Sequence, residues 1–144
     1  MLELFPASQS EMSPEYIQAK LFSFHNSAHK LHLDTRSYAE HKALDGLYTA
    51  LVDFKDEISE KLMGYMGGKR IKSGKLDPLP VYSETAANSL VDEIMTFASK
   101  LEAWAGKLNY CDLENIAQSL SGEAAKVKYN PPSVDCDMLN ALPI

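Results

Sequence analysis

The sequence predicts an all-α protein, a four-helix bundle with one long crossover between its second and third helices. Four segments carry apolar residues at alternating steps of three and four, which is the period of a helix with one buried face. No segment alternates apolar and polar residues over the length of a strand. The connection between the second and third segments has about fifteen residues, enough to run the length of a bundle. The other two connections are short.

The first helix is predicted to begin after Ser13. Serine can cap a helix, and Pro14 suits the first helical position because its missing N–H is not needed there. The helix should end at about Arg36. Its predicted core stripe consists of Ile17, Leu21, Phe24, Ala28 and Leu31.

A long second helix is predicted from Ser37, because Ser37-x-x-Glu40 has the pattern of a capping box. Gly67 and Gly68 should end it, since glycine readily adopts the left-handed backbone found after helices. Its core stripe consists of Leu44, Leu47, Tyr48, Leu51, Ile58, Leu62 and Tyr65.

The third and fourth helices follow a loop that contains Gly74, Pro78 and Pro80. The third helix has heptad-like spacing at Leu90, Ile94, Phe97, Leu101, Trp104 and Leu108. Asp112 is predicted to cap the fourth, and Asn130-Pro131-Pro132 should stop it. Its core stripe is Leu113, Ile116, Leu120, Ala124 and Val127. This order, with one long crossover, is the ferritin-like arrangement.

Length and composition indicate one domain. We expect an N-terminal tail over residues 1–12, the bundle over 13–129 and an extended C-terminal tail over 130–144. The net charge of −6 argues against a general nucleic-acid binder and suits cationic ligands. Cys111 and Cys136 are too few and too far apart for a zinc motif or a disulfide framework. With no signal-like or membrane-spanning stretch, we expect a cytoplasmic protein.

Five residues in the first half of the chain have the types and spacings of metal ligands: His29, His41, Asp45, Asp56 and Glu60. Positions 41, 45, 56 and 60 fall on one stripe of a continuous helix. However, Asp45 and Asp56 lie about 16 Å apart along its axis, so one chain cannot bring both to one ion. An antiparallel copy, related by a two-fold axis near residues 50 and 51, would pair the two ends and form two sites about 22 Å apart.

The stretch from Ala28 to Leu62, AHKLHLDTRSYAEHKALDGLYTALVDFKDEISEKL, resembles the Dps-type mini-ferritins, including the Dps-like proteins encoded by some large bacteriophages. Those proteins carry a His, a second His twelve positions later and an Asp four beyond it, followed by an Asp and a Glu four apart. Each position is matched here. The resemblance covers the first two helices closely and the remainder as a pattern of helices.

The resemblance implies a di-iron site at a dimer interface, with oxidation of ferrous iron by hydrogen peroxide and storage of the mineral in a twelve-subunit shell. It implies that Asp56 and Glu60 anchor the metal, with Glu60 bridging two irons. His29 and His41 hold the weaker ion, and Asp45 assists directly or through water. Nitrogen and carboxylate ligands suit iron, and no thiolate is present to favour zinc. Consuming iron together with peroxide protects DNA from oxidative damage.

Two features of the first half of the chain depart from the Dps pattern. Lys30 replaces the tryptophan that usually follows the first histidine. No Lys or Arg precedes Lys20, so we expect no DNA binding through a basic N-terminal tail. Four basic residues crowd the long loop, which we expect to be solvated but which is the remaining candidate for phosphate contact: Lys69, Arg70, Lys72 and Lys75. His25 and His32 fall outside the pattern, and we expect them at the surface or an interface, with a role in the outer shell of the metal site as the alternative.

Two other functions compete with iron oxidation. A catalytically idle bundle could serve dimerisation or docking, with the apolar C-terminal tail as a partner-binding segment. A di-iron oxygenase is the weaker alternative, because such bundles draw ligands from Glu-x-x-His pairs on two helices, and neither the third nor the fourth helix contains a histidine. Native mass measured together with bound metal separates these functions.

Overall fold

A computed structural model of the chain describes residues 12–129. Four helices and no strand occur within this range, which confirms the predicted all-α class. The helices are α1 (Pro14–Asp34), α2 (Tyr38–Tyr65), α3 (Ala86–Lys107) and α4 (Cys111–Tyr129). The predicted C-terminal tail and all but the last residue of the predicted N-terminal tail lie outside the described residues. That last residue, Met12, is buried against the helical core.

The first helix begins as the sequence predicts. Ser13 has extended backbone geometry, and its hydroxyl accepts a hydrogen bond from the Tyr16 amide at 3.2 Å. This satisfies one of the amides that have no partner at a helix start. All five residues of the predicted core stripe of α1 are buried. The helix ends at Asp34, two residues before the predicted end at Arg36.

The start of α2 departs from a full capping box. Ser37 caps the helix by accepting from the Glu40 amide at 3.2 Å. The Glu40 carboxylate does not return to the Ser37 amide, because the Thr35 hydroxyl already accepts from that amide at 3.1 Å. Instead Glu40, 2% exposed, accepts from the Thr35 hydroxyl at 2.7 Å and from the Tyr82 hydroxyl at 3.0 Å. A buried carboxylate therefore joins the α1–α2 turn to the long loop.

The helices pack around one apolar core in two antiparallel pairs. In the first pair, Gln18 near the start of α1 donates to Ser59 near the end of α2. In the second pair, Gln118 of α4 donates to Glu102 of α3. The edge of the Phe24 ring contacts Phe97, with centroids 5.3 Å apart, and so joins α1 to α3. The predicted core positions are buried along most of each helix, but Tyr65 and Leu108 at helix ends are exposed and Trp104 is partly buried.

The connection between α2 and α3 follows α1 closely. Gly67 and Gly68 have positive φ angles of 72° and 88° and end α2 as predicted. Gly74 lies so close to α1 that a Cβ atom there would sit 2.8 Å from the Glu15 carbonyl oxygen. Further along, Asp77 pairs with Lys20 at 2.8 Å. Near the other end of α1, the Tyr82 hydroxyl contacts the Thr35 hydroxyl at 3.2 Å. These interactions attach the connection to α1 from the first turns of that helix to its last.

The fourth helix begins at Cys111, two residues earlier than a cap at Asp112 would place it. Asp112 lies inside the first turn, and the Tyr110 carbonyl accepts from the amides of Leu113 and Glu114. The Asp112 carboxylate still favours the helix, because negative charge near a helix start interacts well with the exposed amides. No helix among residues 12–129 combines the length and apolar character needed to cross a bilayer.

Candidate metal centre

A single unbroken helix carries four of the five predicted ligands. His41, Asp45, Asp56 and Glu60 all lie on α2, whose 28 residues run without interruption. The rise of about 1.5 Å per residue therefore separates Asp45 from Asp56 by about 16 Å. Within residues 12–129, no three His, Cys, Asp or Glu side chains come together in a way that could hold a metal ion. The five predicted ligands therefore fall into two groups, near the first and the second half of α2, and neither group brings three of them together within the described residues.

The first group includes His29 of α1. Its ring contacts Tyr48 of α2, which neighbours the predicted ligand Asp45. The His29 ring stacks on the Tyr48 ring, with centroids 4.4 Å apart and planes inclined by 22°. Tyr48 lies one turn after Asp45 on α2. Burial, then the negative charge of the Asp45 carboxylate and its hydrogen-bonding interaction with the phenol, raise the pKa of Tyr48. Tyr48 thus links His29 of α1 to Asp45 of α2.

His41 is held by a reciprocal contact with His32. The two rings stack with centroids 4.0 Å apart and an interplanar angle of 23°. Nδ1 of His32 donates to the His41 carbonyl at 2.9 Å, and Nδ1 of His41 donates to the His32 carbonyl at 3.1 Å. His32 was expected at the surface or an interface, but it is 9% exposed because α2 covers it. Burial lowers the pKa of His32.

All four histidines of the chain occur in this one cluster. His25 completes it, with ring centroids 6.2 Å from His29 and 6.0 Å from Tyr48. Burial, followed by the positive charge of Lys55, lowers the pKa of His25. We define the histidine cluster as His25, His29, His32, His41 and Tyr48. It lies where α1 packs on the first half of α2.

Asp56 and Glu60 form the second group, and their surroundings differ sharply. Both side chains are exposed. Within residues 12–129, neither carboxylate forms a salt bridge or a side-chain hydrogen bond. They are four residues apart, so they project from neighbouring turns of the same side of α2. Two unpaired carboxylates at this spacing can bind a cation supplied from outside the chain.

The surface between the two groups contains an exposed apolar residue. Val52 is 44% exposed, and Thr49 beside it is also exposed. We call the side of α2 that carries the four predicted ligands the ligand stripe: His41, Asp45, Asp56 and Glu60. Thr49 and Val52 flank its midpoint near residues 50 and 51, where the two-fold axis was predicted. On the adjoining surface of α1, Phe22 is 38% exposed, and the Lys55 ammonium lies 4.3 Å from the centre of its ring. A second copy could cover these residues.

Three residues of the histidine cluster were not assigned to the site from the sequence. Tyr48 was assigned to the core stripe, and His25 and His32 were placed outside the ligand pattern. A usable signal existed for His32: it lies three residues after His29, so both project from the same side of α1. Its pairing with His41 depends on the turn between the helices, which spacing alone does not define.

The basic residues of the long loop are solvent-exposed: Lys69, Arg70, Lys72 and Lys75. Nη1 of Arg70 donates to the Gly68 carbonyl at 2.9 Å, so part of this guanidinium is engaged within the loop. The expectation of a solvated loop agrees with this exposure. The structure gives no contact between this loop and the candidate ligands.

Comparison with known proteins gives a family and one viral relative. A model described as "Family of unknown function (DUF5856)" matches residues 32–130. A protein of Enterobacteria phage T4, named "Uncharacterized 14.6 kDa protein in mobD-ri intergenic region", is 44% identical over 41 residues. This match covers 28% of the chain and 32% of the phage protein, so the chain spans about a third of that relative's length. No solved structure matches significantly.

Proposed function

The chain belongs to the family of unknown function DUF5856, and we propose that it is a ferritin-like iron protein of the Dps type. In this proposal the bundle has the ferritin-like topology, with the connection between α2 and α3 as its long crossover. The contacts of Gly74, Asp77 and Tyr82 along α1 support that topology. Ferrous iron is the substrate, hydrogen peroxide is the oxidant, and the ferric product is stored.

The division of the donors into two groups carries the proposal. His29, His41 and Asp45 each interact with another residue of the same chain, whereas Asp56 and Glu60 are exposed and have no ion-pair partner among residues 12–129. An antiparallel copy placed on α2 would bring the partner's Asp56 and the partner's Glu60 to the first group. Each dimer then has two sites, each made by both chains.

The donor chemistry suits this substrate. The carboxylates of Asp56 and Glu60 are hard ligands that favour the ferric product, and Glu60 would bridge two metal ions. The imidazoles of His29 and His41 are borderline ligands that accept the ferrous ion. Asp45 assists directly or through water. Removing peroxide together with iron would protect DNA in the same compartment, without requiring this protein to bind DNA.

Complementation between two inactive chains tests the shared site most sharply. One chain carries His41→Ala, and the other carries Asp56→Ala with Glu60→Ala. Each homodimer has no complete site, but each mixed dimer has one complete site out of two. Random pairing of equal amounts should therefore restore about one quarter of the wild-type rate of peroxide-driven iron oxidation. Sites built within a single chain would give no recovery.

The control replaces a carboxylate outside the ligand stripe. Glu57 is exposed like Asp56, but it lies one residue further, about 100° around the helix. Glu57→Ala should leave both iron binding and the oxidation rate within twofold of wild type. An unchanged rate in the Asp56→Ala, Glu60→Ala chain alone would exclude the proposed ligands. Native mass measured together with iron content separates a dimer from a twelve-subunit shell.

A further inference from the structure

The reciprocal contact between His32 and His41 fixes the tautomer of each ring as well as its position. Each residue offers its ring Nδ1 to the main-chain carbonyl of the other, at 2.9 and 3.1 Å. A carbonyl oxygen can only accept a hydrogen bond, so each Nδ1 must carry the proton. In the neutral ring, the proton is then absent from Nε2. Both imidazoles therefore keep the Nε2 lone pair for another partner.

The ring of His32 adds a steric restraint on His41. The two rings are nearly parallel, and their centroids are 4.0 Å apart. His32 is almost fully buried, so it is itself fixed by the packing of α1 on α2. His41 is partly exposed and would otherwise rotate about its side-chain bonds. A fixed ring on one face and a hydrogen bond from Nδ1 together leave His41 one orientation.

We propose that His32 is a positioning residue for His41: its main-chain carbonyl holds His41 in the Nδ1–H tautomer and its ring fixes the orientation of the His41 ring, which leaves Nε2 of His41 as the metal ligand. The inference rests on the proposed function, because His41 is a ligand only if the site binds metal. A metal-ligating imidazole commonly has its other nitrogen fixed by a carbonyl or carboxylate, which sets its tautomer and orientation. In this chain the fixing residue lies nine positions earlier, on the other helix of the pair.

The test measures the tautomer and the metal affinity separately. Nitrogen-15 NMR of the metal-free full-length chain, above the pKa of the histidines, should show the His41 proton on Nδ1. His32→Ala keeps the main-chain carbonyl that accepts from His41 but removes the stacked ring. The His41 ring should then lose its single orientation in the NMR spectra, and Fe²⁺ binding, measured by anaerobic calorimetry, should weaken about 10- to 100-fold. His32→Phe keeps a ring against His41 but loses the donor, so it should show a smaller loss and guards against misfolding of the alanine variant.

His25→Ala is the matched control. His25 belongs to the same helix and the same histidine cluster, but its ring contacts are with His29 and Tyr48, and none with His41 is found. This variant should leave the orientation of the His41 ring unchanged. A His41 proton on Nε2 in the wild-type chain, or an unchanged His41 ring orientation with unchanged Fe²⁺ affinity in both His32 variants, would overturn the inference. If the wild-type chain binds no Fe²⁺, the proposed function fails, and an unchanged His41 ring orientation in both His32 variants would still overturn the orienting role of His32.

Discussion

The two ends of the ligand stripe on α2 differ in how they are supported. At the first end, the His41 ring stacks on His32 and donates to its carbonyl, and the charge of Asp45 contributes to the raised pKa of the neighbouring Tyr48. At the second end, Asp56 and Glu60 project into solvent without a partner among residues 12–129. We call these the supported end and the open end. The same helix presents both, about 16 Å apart between Asp45 and Asp56.

This difference shows how a shared site can form without strain. The supported end loses little side-chain freedom on assembly, because its rings already have one arrangement. The carboxylates of the open end are exposed to water in the single chain, so neither is buried without a partner there. An antiparallel copy would join one end of each kind at both sites. The contrast between the ends therefore favours a site that forms on dimerisation.

The largest effect is expected from a charge placed between the two ends. Val52→Asp would introduce two carboxylates facing each other near the proposed two-fold axis. Their desolvation and repulsion should weaken dimerisation at least about 100-fold and abolish iron oxidation with it, because a like-charge pair costs several kcal/mol. Sedimentation velocity at micromolar concentration, with the oxidation rate of the same sample, measures both effects.

Asn88→Asp provides the control for that variant. Asn88 is exposed on α3, so the change adds the same charge away from the ligand stripe. It should preserve both the native mass and the oxidation rate. If Val52→Asp kept the wild-type mass and activity, the α2 surface would not be the interface, and the two ends would have to act separately.

A medium effect is expected on the free energy of unfolding, which should differ between alanine variants at the two ends. His41→Ala removes the donor to the His32 carbonyl and one side of the ring stack, so it should lower the free energy of unfolding by about 1–3 kcal/mol. Asp56→Ala removes an exposed, unpaired side chain and should change it by no more than about 0.5 kcal/mol. Urea unfolding of both variants, without metal and in matched buffer, provides the comparison. Equal losses would mean that the ends are equally supported.

The smallest effect is expected on the pH dependence of stability, through Tyr82 and Glu40 near the supported end. Burial and the hydrogen bond to Glu40 raise the pKa of Tyr82, although its contact with Thr35 acts in the opposite direction. A raised folded pKa means that the native state holds the proton more tightly than the unfolded chain. Tyr82 therefore contributes stability fully below about pH 10, and this contribution is lost as pH rises through the folded value.

Tyr82→Phe removes this titration and should flatten the fall in stability between about pH 9.5 and 11. Urea midpoints measured across that range provide the readout. Tyr65→Phe is the control, because Tyr65 is exposed and stacks on Tyr110 away from Glu40. An unaltered slope in Tyr82→Phe would show that the Glu40 contact does not hold the Tyr82 proton.

Much of the fold could be predicted from the sequence because its helices obey local rules. Ser13 caps α1, Gly67 ends α2, and the buried stripes have the expected period. Predictions failed where a side chain had two available partners. Glu40 accepts hydrogen bonds from the hydroxyls of Thr35 and Tyr82, and not from the Ser37 amide. Tyr82 lies in the connection between α2 and α3, far from Glu40 in the sequence. Spacing along one helix carries no information about such a partner.

The candidate site was predictable in part for the same reason. The positions of the α2 ligands follow from helix geometry, and the continuous α2 preserves that geometry. The pairing of His32 with His41 depends on how the short turn sets one helix against the other. The stack of His29 on Tyr48 depends on the same packing. In the proposed dimer, the open end of one chain pairs with the supported end of the other. Spacing within one sequence cannot predict that pairing.

The buried Glu40 carboxylate couples two parts of the chain in their dynamics. Its acceptor needs are met by Thr35 beside α2 and by Tyr82 in the long connection. If that connection lifted away, a buried negative charge would lose one donor, which is costly in an apolar interior. Opening of the connection and fraying of the first turn of α2 should therefore occur together. In hydrogen exchange, the amides around residues 38–41 and 80–83 should then behave as one cooperative unit.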